Sequence, residues 1–373
     1  MGIQRIILSG GGTGGHIYPA LAIYNQLKEL NPDLECLYIG TQNGLESTIV
    51  PKAGLNFDSI EISGLKRSLS LDNVKVVWQM LNSTRNAKKL IRDFQPDIVI
   101  GTGGFVCAPV LYAATQLKIP TLIHEQNSVA GMTNKFLSRF VTAIATSFKE
   151  VHKDFDKVRS NITFTGNPRA QEVVSYPSNP TILSETYNLF DDKPTVLIFG
   201  GSRGAPAINK AAIESIELFN DKEYQVIIGT GSVHYDEWMK FIDDKRINIS
   251  KNIKIVPYID NMPALFQSVK LVVSRSGATT LSELTSLGIP SILIPSPYVT
   301  DNHQEKNAMS LVNNGAAVMI IESELDTNSL TDNINRLMED SDRLEDMAEN
   351  AKSLGTPQAI DDIIKLVETI VNK

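Results

Sequence analysis

The sequence predicts an α/β protein made of two doubly wound domains, each a parallel sheet covered by helices, facing each other across a cleft. Three observations carry that expectation. Short, continuous apolar runs rich in β-branched residues alternate with longer amphipathic stretches from end to end. Strands of that kind are buried on both faces, which is the situation of parallel sheets. The alternation also begins twice, each time with a strand that runs into a glycine cluster, at residues 10–15 and 200–204. Finally, 373 residues are many for one compact domain and comfortable for two.

In chain order, the strand candidates of the N-terminal half are residues 5–9, 35–39, 57–62, 97–101, 121–124 and 142–146. Between the first two lies a helical pattern over 20–30, whose apolar positions Leu21, Ile23, Leu27 and Leu30 repeat at helical spacing. The second set of strands is read at 195–199, 225–228, 253–256, 271–273, 292–294 and 317–320. The proline-containing polar segment from Asn167 to Pro194 reads as the linker. The expected domains are therefore 1–166 and 167–355, with a last helix in 356–373 that could pack on either.

Composition bounds the function. A hydrophobic fraction of 42 % with 21 % charged residues excludes a disordered chain, and a net charge of −7 gives no global basic field for nucleic acid. The only cysteines, Cys36 and Cys107, lie among apolar or small residues without metal-ligand spacing, and are expected to be reduced, buried thiols. The apolar start at residues 3–9 is too short for a signal peptide, and no window is long enough for a transmembrane helix.

The residues with chemistry cluster where strands meet helices. Gly10-Gly11-Gly12-Thr13-Gly14-Gly15-His16 joins the first strand to the first helix, where free N–H groups favour an anion. The second strand ends Ile39-Gly40-Thr41, without the acidic residue expected of a nicotinamide site. His16 stands at the mouth of the loop: it either hydrogen-bonds the turn or serves as a general base or phosphate contact. In the second half, Gly200-Gly201-Ser202-Arg203-Gly204 repeats the arrangement, with Ser202 suited to phosphate and Arg203 either a phosphate partner or a solvated side chain. Arg275-Ser276-Gly277-Ala278-Thr279-Thr280-Leu281-Ser282-Glu283 again follows a strand and opens a helix. A carboxylate at Glu283 suits vicinal hydroxyls because it accepts from two O–H groups; the alternative is that it serves the helix terminus. Asp154-Phe155-Asp156 has DxD spacing but lies in a charged segment and reads as a solvated turn.

Together these motifs resemble nucleotide-sugar glycosyltransferases with two Rossmann-like domains (the GT-B fold), and more narrowly the MurG family of peptidoglycan N-acetylglucosaminyltransferases. The matching stretches are GGGTGGHIYPALA at 10–22, GTGGFVCAP at 101–109, HEQNSVAGMTNKFLS at 124–138, TGNPR at 165–169, GGSRGA at 200–205, PYIDNM at 257–262 and RSGATTLSE at 275–283. They extend over nearly the whole chain in the right order. The resemblance implies transfer of N-acetylglucosamine from UDP-GlcNAc to the C4 hydroxyl of the muramoyl sugar on undecaprenyl diphosphate (lipid I), with inversion and without a metal or other cofactor. It also implies a place on the cytoplasmic face of the cell membrane. By the same resemblance Ser202, Ile259, Ala278, Thr279, Thr280, Leu281, Ser282, Glu283 and Gln304 hold the donor, Ile259 through its backbone. Thr13, Gly14, Gly15 and Asn127 meet the donor from the first domain, and His16, Glu125 and Asn134 serve the acceptor side. His16 and Glu125 are the candidate bases, and the sequence leaves the choice open; Glu125 could instead pair with Lys135 or Arg139. The chain departs from the family in carrying Phe105 where tyrosine is common, and in the position of Arg169.

A lipid-linked acceptor calls for a membrane surface. Leu65-Lys66-Arg67-Ser68-Leu69 leads to Val74, Val76, Val77, Trp78, Met80 and Leu81, with Lys75, Arg85, Lys88 and Lys89 nearby. Apolar residues beside a basic cluster suit anionic lipid, and the same apolar positions also suit the buried face of a crossover helix. The rival readings are another UDP-sugar transferase of this fold, a UDP-GlcNAc epimerase, and a non-enzymatic nucleotide-sugar-binding scaffold.

Overall fold

The computed structural model describes residues 2–62, 71–156, 158, 160–201 and 203–372, with side chains of 71–77 outside the description. Two compact units emerge: residues 1–171 with 358–373, and residues 172–357.

The first unit contains the strands β1 (Arg5–Ser9), β2 (Glu35–Gly40), β3 (Asn56–Ser59), β4 (Ile98–Gly101), β5 (Thr121–Glu125), β6 (Ala143–Thr146) and β7 (Asn161–Phe164). All pair in parallel, in the order β3-β2-β1-β4-β5-β6-β7. Alternate residues of each strand serve opposite cores. Ile6 and Leu8 face one cluster with Tyr38, Ile98 and Ile100, whereas Ile7 faces another with Ile39 and Val99. That two-sided burial explains the continuous apolar runs. Strand β7 escapes sequence reading because its four residues, Asn-Ile-Thr-Phe, alternate polar with apolar and none is fully buried.

The second unit contains β8 (Thr195–Phe199), β9 (Gln225–Gly229), β10 (Ile253–Val256), β11 (Leu271–Ser274), β12 (Ser291–Leu293) and β13 (Ala317–Met319), ordered β10-β9-β8-β11-β12-β13 and again parallel. In each sheet the strand order reverses once, between β1 and β4 and between β8 and β11. Open α/β sheets bind ligands at such a switch point, outside the carboxyl ends of the strands.

Two local features differ from the sequence expectation. The segment expected to be a plain linker holds the helices Pro168–Ser175 and Ile182–Tyr187. Val173, Ile182, Leu183 and Tyr187 are buried in the second unit's core, so apolar spacing outweighs the prolines there. The last helix, Ala359–Val371, packs on the helix Gly14–Leu30 and adds Ile360, Ile363, Ile364, Val367 and Ile370 to the first unit's core. Gln171 Oε1 accepts from the N–H groups of Ile360 and Asp361 at 3.1 and 3.2 Å, capping that helix where the chain returns.

Candidate active site

At the first switch point the turn after β1 lies against the turn after β4. Gly11 N donates to Gly103 O at 3.1 Å, and Thr102 Oγ1 donates to the carbonyl of His16 at 2.6 Å. Gly104 has φ +88°, and a Cβ there would lie 2.4 Å from Gly11 O, so only glycine allows this approach. Thr13 precedes the helix Gly14–Leu30 in extended conformation without a side-chain cap. Among the described residues the N–H groups of Thr13, Gly14 and Gly15 meet no acceptor, so they are donors available to a ligand.

His16 is half-buried, and its Nδ1 lies 2.9 Å from the carbonyl oxygen of Gly11. A carbonyl only accepts, so Nδ1 carries the proton of the neutral ring and Nε2 keeps the lone pair. The hydroxyl of Thr13 stands 3.5 Å from Nδ1 and is secondary.

Glu125, at the end of β5, is buried and surrounded by donors. Its Oε1 accepts from Asn127 N at 3.0 Å and Asn127 Nδ2 at 3.4 Å. Its Oε2 accepts from Gly131 N at 3.0 Å and from Asn134 Nδ2 at 2.8 Å. Both oxygens are thus committed to holding the 127–134 loop. Lys135 pairs instead with Asp154 at 3.5 Å, and Asp154 also accepts from Ala130 N at 2.8 Å, which makes this member of the DxD pair a loop clamp. Asn134 is buried, and its Oδ1 has no hydrogen-bond partner. The neighbouring His124 is fully buried, with Nε2 2.9 Å from Gly166 O and Nδ1 3.0 Å from Gln126 Nε2. Burial pulls its pKa down to about 4, so it is a neutral structural link. Gln126 extends that link to Thr102 O at 2.6 Å. Phe105 is partly exposed in the turn after β4, and the Arg169 guanidinium lies 5.9 Å from the Tyr18 ring centre. Cys36 and Cys107 are both buried free thiols, and burial pushes Cys107 up to about 11.

Sequence reading missed Glu46. This fully buried carboxylate, opening the helix Glu46–Lys52, accepts from Thr41 N, Thr41 Oγ1 and Gly12 N at 3.1, 2.6 and 3.1 Å. Its trace in the sequence is the glycines Gly11, Gly40 and Gly44, at each of which a Cβ would strike it.

In the second unit, the ends of β8, β9 and β10 enclose a pocket of about 120 Å³ lined by Phe199, Gly201, Gly229, Pro257, Tyr258 and Ile259, among others. The Ile259 side chain packs over Gly229, while its backbone N–H and C=O meet no partner among the described residues. A slot with apolar walls and one free donor–acceptor pair of this kind suits a planar base. Across the switch point, Gly277 precedes the helix Ala278–Leu287 without a side-chain cap, and the N–H groups of Ala278, Thr279 and Thr280 meet no acceptor among the described residues. Glu283 is buried beyond the first turn, past the position a capping box would use. Leu281 has its side chain in the core, and its N–H donates to Gly277 O at 3.0 Å. Ser282 likewise spends its hydroxyl on Thr279 O at 2.7 Å.

Gln304 accepts at Oε1 from Ser296 N at 2.9 Å, and its own carbonyl accepts from Ser276 Oγ at 2.7 Å, tying its helix, His303–Val312, to the Gly277 turn. Asp301 and Asn302, just before it, both hold left-handed conformations, with φ of 55° and 52°. Backbone strain of this kind persists where the surroundings impose it. Arg275 is spent on the carbonyls of Ile294 and Pro295 at 3.1 and 3.2 Å and on an ion pair with Glu322, so it locks strand ends together. Arg203 is exposed, and Ser202 lies outside the described residues.

The model of the glycosyltransferase family 28 N-terminal domain matches residues 6–146, and that of the family 28 C-terminal domain matches residues 195–363. The chain belongs to glycosyltransferase family 28. Within this family it is similar to a Bacillus cereus protein, 53 % identical over 99 % of this chain and 100 % of the relative. That protein is named UDP-N-acetylglucosamine--N-acetylmuramyl-(pentapeptide) pyrophosphoryl-undecaprenol N-acetylglucosamine transferase 1. A Listeria welshimeri transferase with the same name but no number is 51 % identical over 99 % of both chains. Among solved structures, Acinetobacter baumannii MurG is 26 % identical with a TM-score of 0.79 over 98 % of this chain and 99 % of that one. An S. aureus MnaA structure with UDP, 16 % identical, has a TM-score of 0.69 over 99 % of this chain and 97 % of that one, and shares the fold. The family 28 chain is accordingly a glycosyltransferase of the GT-B fold.

Proposed function

We propose that this protein transfers N-acetylglucosamine from UDP-GlcNAc to the C4 hydroxyl of the muramoyl sugar of lipid I, inverting the anomeric centre and forming lipid II. The observation that carries this reading is His16, an imidazole whose donating Nδ1 leaves Nε2 basic at the mouth of a loop with free N–H groups. The relatives' printed names supply the donor and the lipid-linked acceptor.

In the reaction, the acceptor O–H proton passes to His16 Nε2 while the hydroxyl oxygen bonds to the donor's C1. The C1–O bond to UDP breaks, and its electron pair leaves with the diphosphate. The uncapped N–H groups of Ala278, Thr279 and Thr280, and those of Thr13, Gly14 and Gly15, are suited to the growing negative charge. Ile259 receives uracil on its backbone, Glu283 the ribose hydroxyls, and the Gln304 amide the donor sugar. Glu125 positions Asn127 and Asn134, and the buried Asn134 Oδ1 takes a donor of the acceptor substrate. The first unit, residues 1–171 with 358–373, handles acceptor and membrane, and the second, 172–357, the UDP-sugar.

We place the protein at the cytoplasmic face of the cell membrane, on anionic lipid. Among the described residues no helix is long and apolar enough to cross a membrane. Trp78 and Leu81 are 65 % and 61 % exposed on the helix Leu71–Phe94, with Arg85 and Lys89 exposed further along it. The Leu65–Leu69 part of the patch lies outside the described residues.

The test is transfer of radiolabelled GlcNAc from UDP-GlcNAc to a short-chain lipid I analogue, with EDTA present. Labelled disaccharide–lipid is expected. Donor binding without transfer, or epimerisation without acceptor, would overturn the assignment.

A further inference from the structure

We propose that Glu46 is a positioning residue for the transfer, acting on His16 through the single peptide group between Gly11 and Gly12. This deepens the reading of His16 as the base and rests on it. The Gly11–Gly12 peptide is gripped at both ends: its N–H donates to Glu46 Oε2 at 3.1 Å, and its C=O accepts from His16 Nδ1 at 2.9 Å. Hydrogen bonds in such a chain polarise one another, so a carboxylate on the N–H strengthens the carbonyl as an acceptor. The result is an oriented carboxylate–peptide–imidazole series that favours the Nδ1–H tautomer and the imidazolium formed when Nε2 takes a proton. In hydrolytic triads a carboxylate does this directly; here one amide is interposed.

The surroundings of Glu46 are built for a carboxylate. All three of its contacts, Thr41 N, Thr41 Oγ1 and Gly12 N, are donors, which an acceptor-only group satisfies and an amide of the same size does not. Among the described residues no cation pairs with it, so these donors and the N-terminus of its own helix offset the cost of burying it. Three chain segments leave room for this one side chain. A Cβ at Gly11 would lie 2.5 Å from Oε1, one at Gly40 2.6 Å from Cγ, and one at Gly44 2.3 Å from the carboxyl oxygens. The first glycine loop therefore has an anion of its own behind it. Gly12 N is already occupied, while the N–H groups of Thr13, Gly14 and Gly15 stay available to substrate.

The experiment is a double-mutant cycle on the full chain with Glu46→Gln, His16→Ala and both together, measured with UDP-GlcNAc and the lipid I analogue. Glu46→Gln should lower kcat roughly tenfold or more, part of the 10²–10⁴ a general base supplies. It should leave the UDP-GlcNAc KM within about threefold, by the same division of roles. The double variant should be no slower than His16→Ala alone, because the two residues act as one unit. Effects that multiply would reduce Glu46 to a structural role, and an unchanged kcat in Glu46→Gln would also overturn the proposal. Thr41→Val, which leaves the link through Gly12 in place, should keep near wild-type kcat; a fall equal to that of Glu46→Gln would count against action through His16. Should Glu46→Gln fail to fold, the ¹⁵N shifts of His16 in the wild-type protein decide: the Nδ1–H tautomer is expected, and an Nε2–H tautomer overturns the proposal. An unimpaired His16→Ala enzyme would instead refute the base assignment itself.

Discussion

The two glycine loops start from the same strand–glycine–helix device and end with different surroundings. Behind the loop at residues 10–15 sits a buried carboxylate, Glu46, and in front of it a histidine oriented by the loop's own carbonyl. At residues 200–204 the surroundings are Phe199, Gly229 and Ile259, which leave an apolar pocket. The difference teaches that glycine at a switch point only makes room. What fills the room decides whether the unit orients an imidazole or leaves an apolar-walled pocket.

The largest expected break in this division is His16→Ala, which should lower kcat by about 10²–10⁴ while leaving the affinity for UDP, measured by calorimetry, nearly unchanged. The complementary change is Glu283→Ala in the second unit. It removes the carboxylate we propose for the ribose hydroxyls, and should weaken UDP-GlcNAc binding about 10- to 100-fold, equivalent to roughly 1.5–3 kcal/mol for a charged hydrogen bond. Equal effects of both variants on affinity would erase the proposed division.

A third test separates the units by pH. His124 is buried and neutral in the first unit, whereas the second unit's His234 and His303 are only partly covered. Its folded pKa of about 4 lies below the ordinary 6.5, so the unfolded chain binds the proton more readily. Stability is therefore whole above pH 6.5 and falls as pH drops towards 4, by about 3 kcal/mol in all. Denaturant titrations at pH 7.5 and 5 should show the loss, and His124→Gln should flatten it. The smallest effect concerns the helix Leu71–Phe94: reversing Arg85 or Lys89 to Glu should weaken binding to anionic vesicles about fivefold per charge, less at high salt.

Much of this was legible before any coordinates. The periodicity located the strands of both sheets apart from β7, because two-sided burial writes a continuous apolar signal into the inner strands, while Asn161-Ile162-Thr163-Phe164 is only partly covered and alternates polar with apolar. That the glycine turns at 10–15 and 274–283 open helices was legible because helix N-termini expose donors whatever the side chains are, whereas the choice of Thr13, Gly14, Gly15 and Ala278 to Thr280 came from the family resemblance. A stretch of sequence does not say which residues of a helical turn face the core, and the structure alone shows the Leu281 side chain buried and the Ser282 hydroxyl bonded to Thr279 O. Asp154 shows the same limit: its spacing suggests a motif, and its role is set by Lys135 and Ala130.

By itself the sequence determined the doubly wound fold class, the doubled architecture, the family resemblance and the two glycine turns, all properties of local patterning. Tertiary structure alone decided that the last helix completes the first unit's core and that Glu125 is spent on its own loop. It also decided that Glu46 reaches Gly12 across 34 positions of chain. Those outcomes depend on which donors a buried acceptor meets once the sheets have formed, and periodicity carries no record of such encounters.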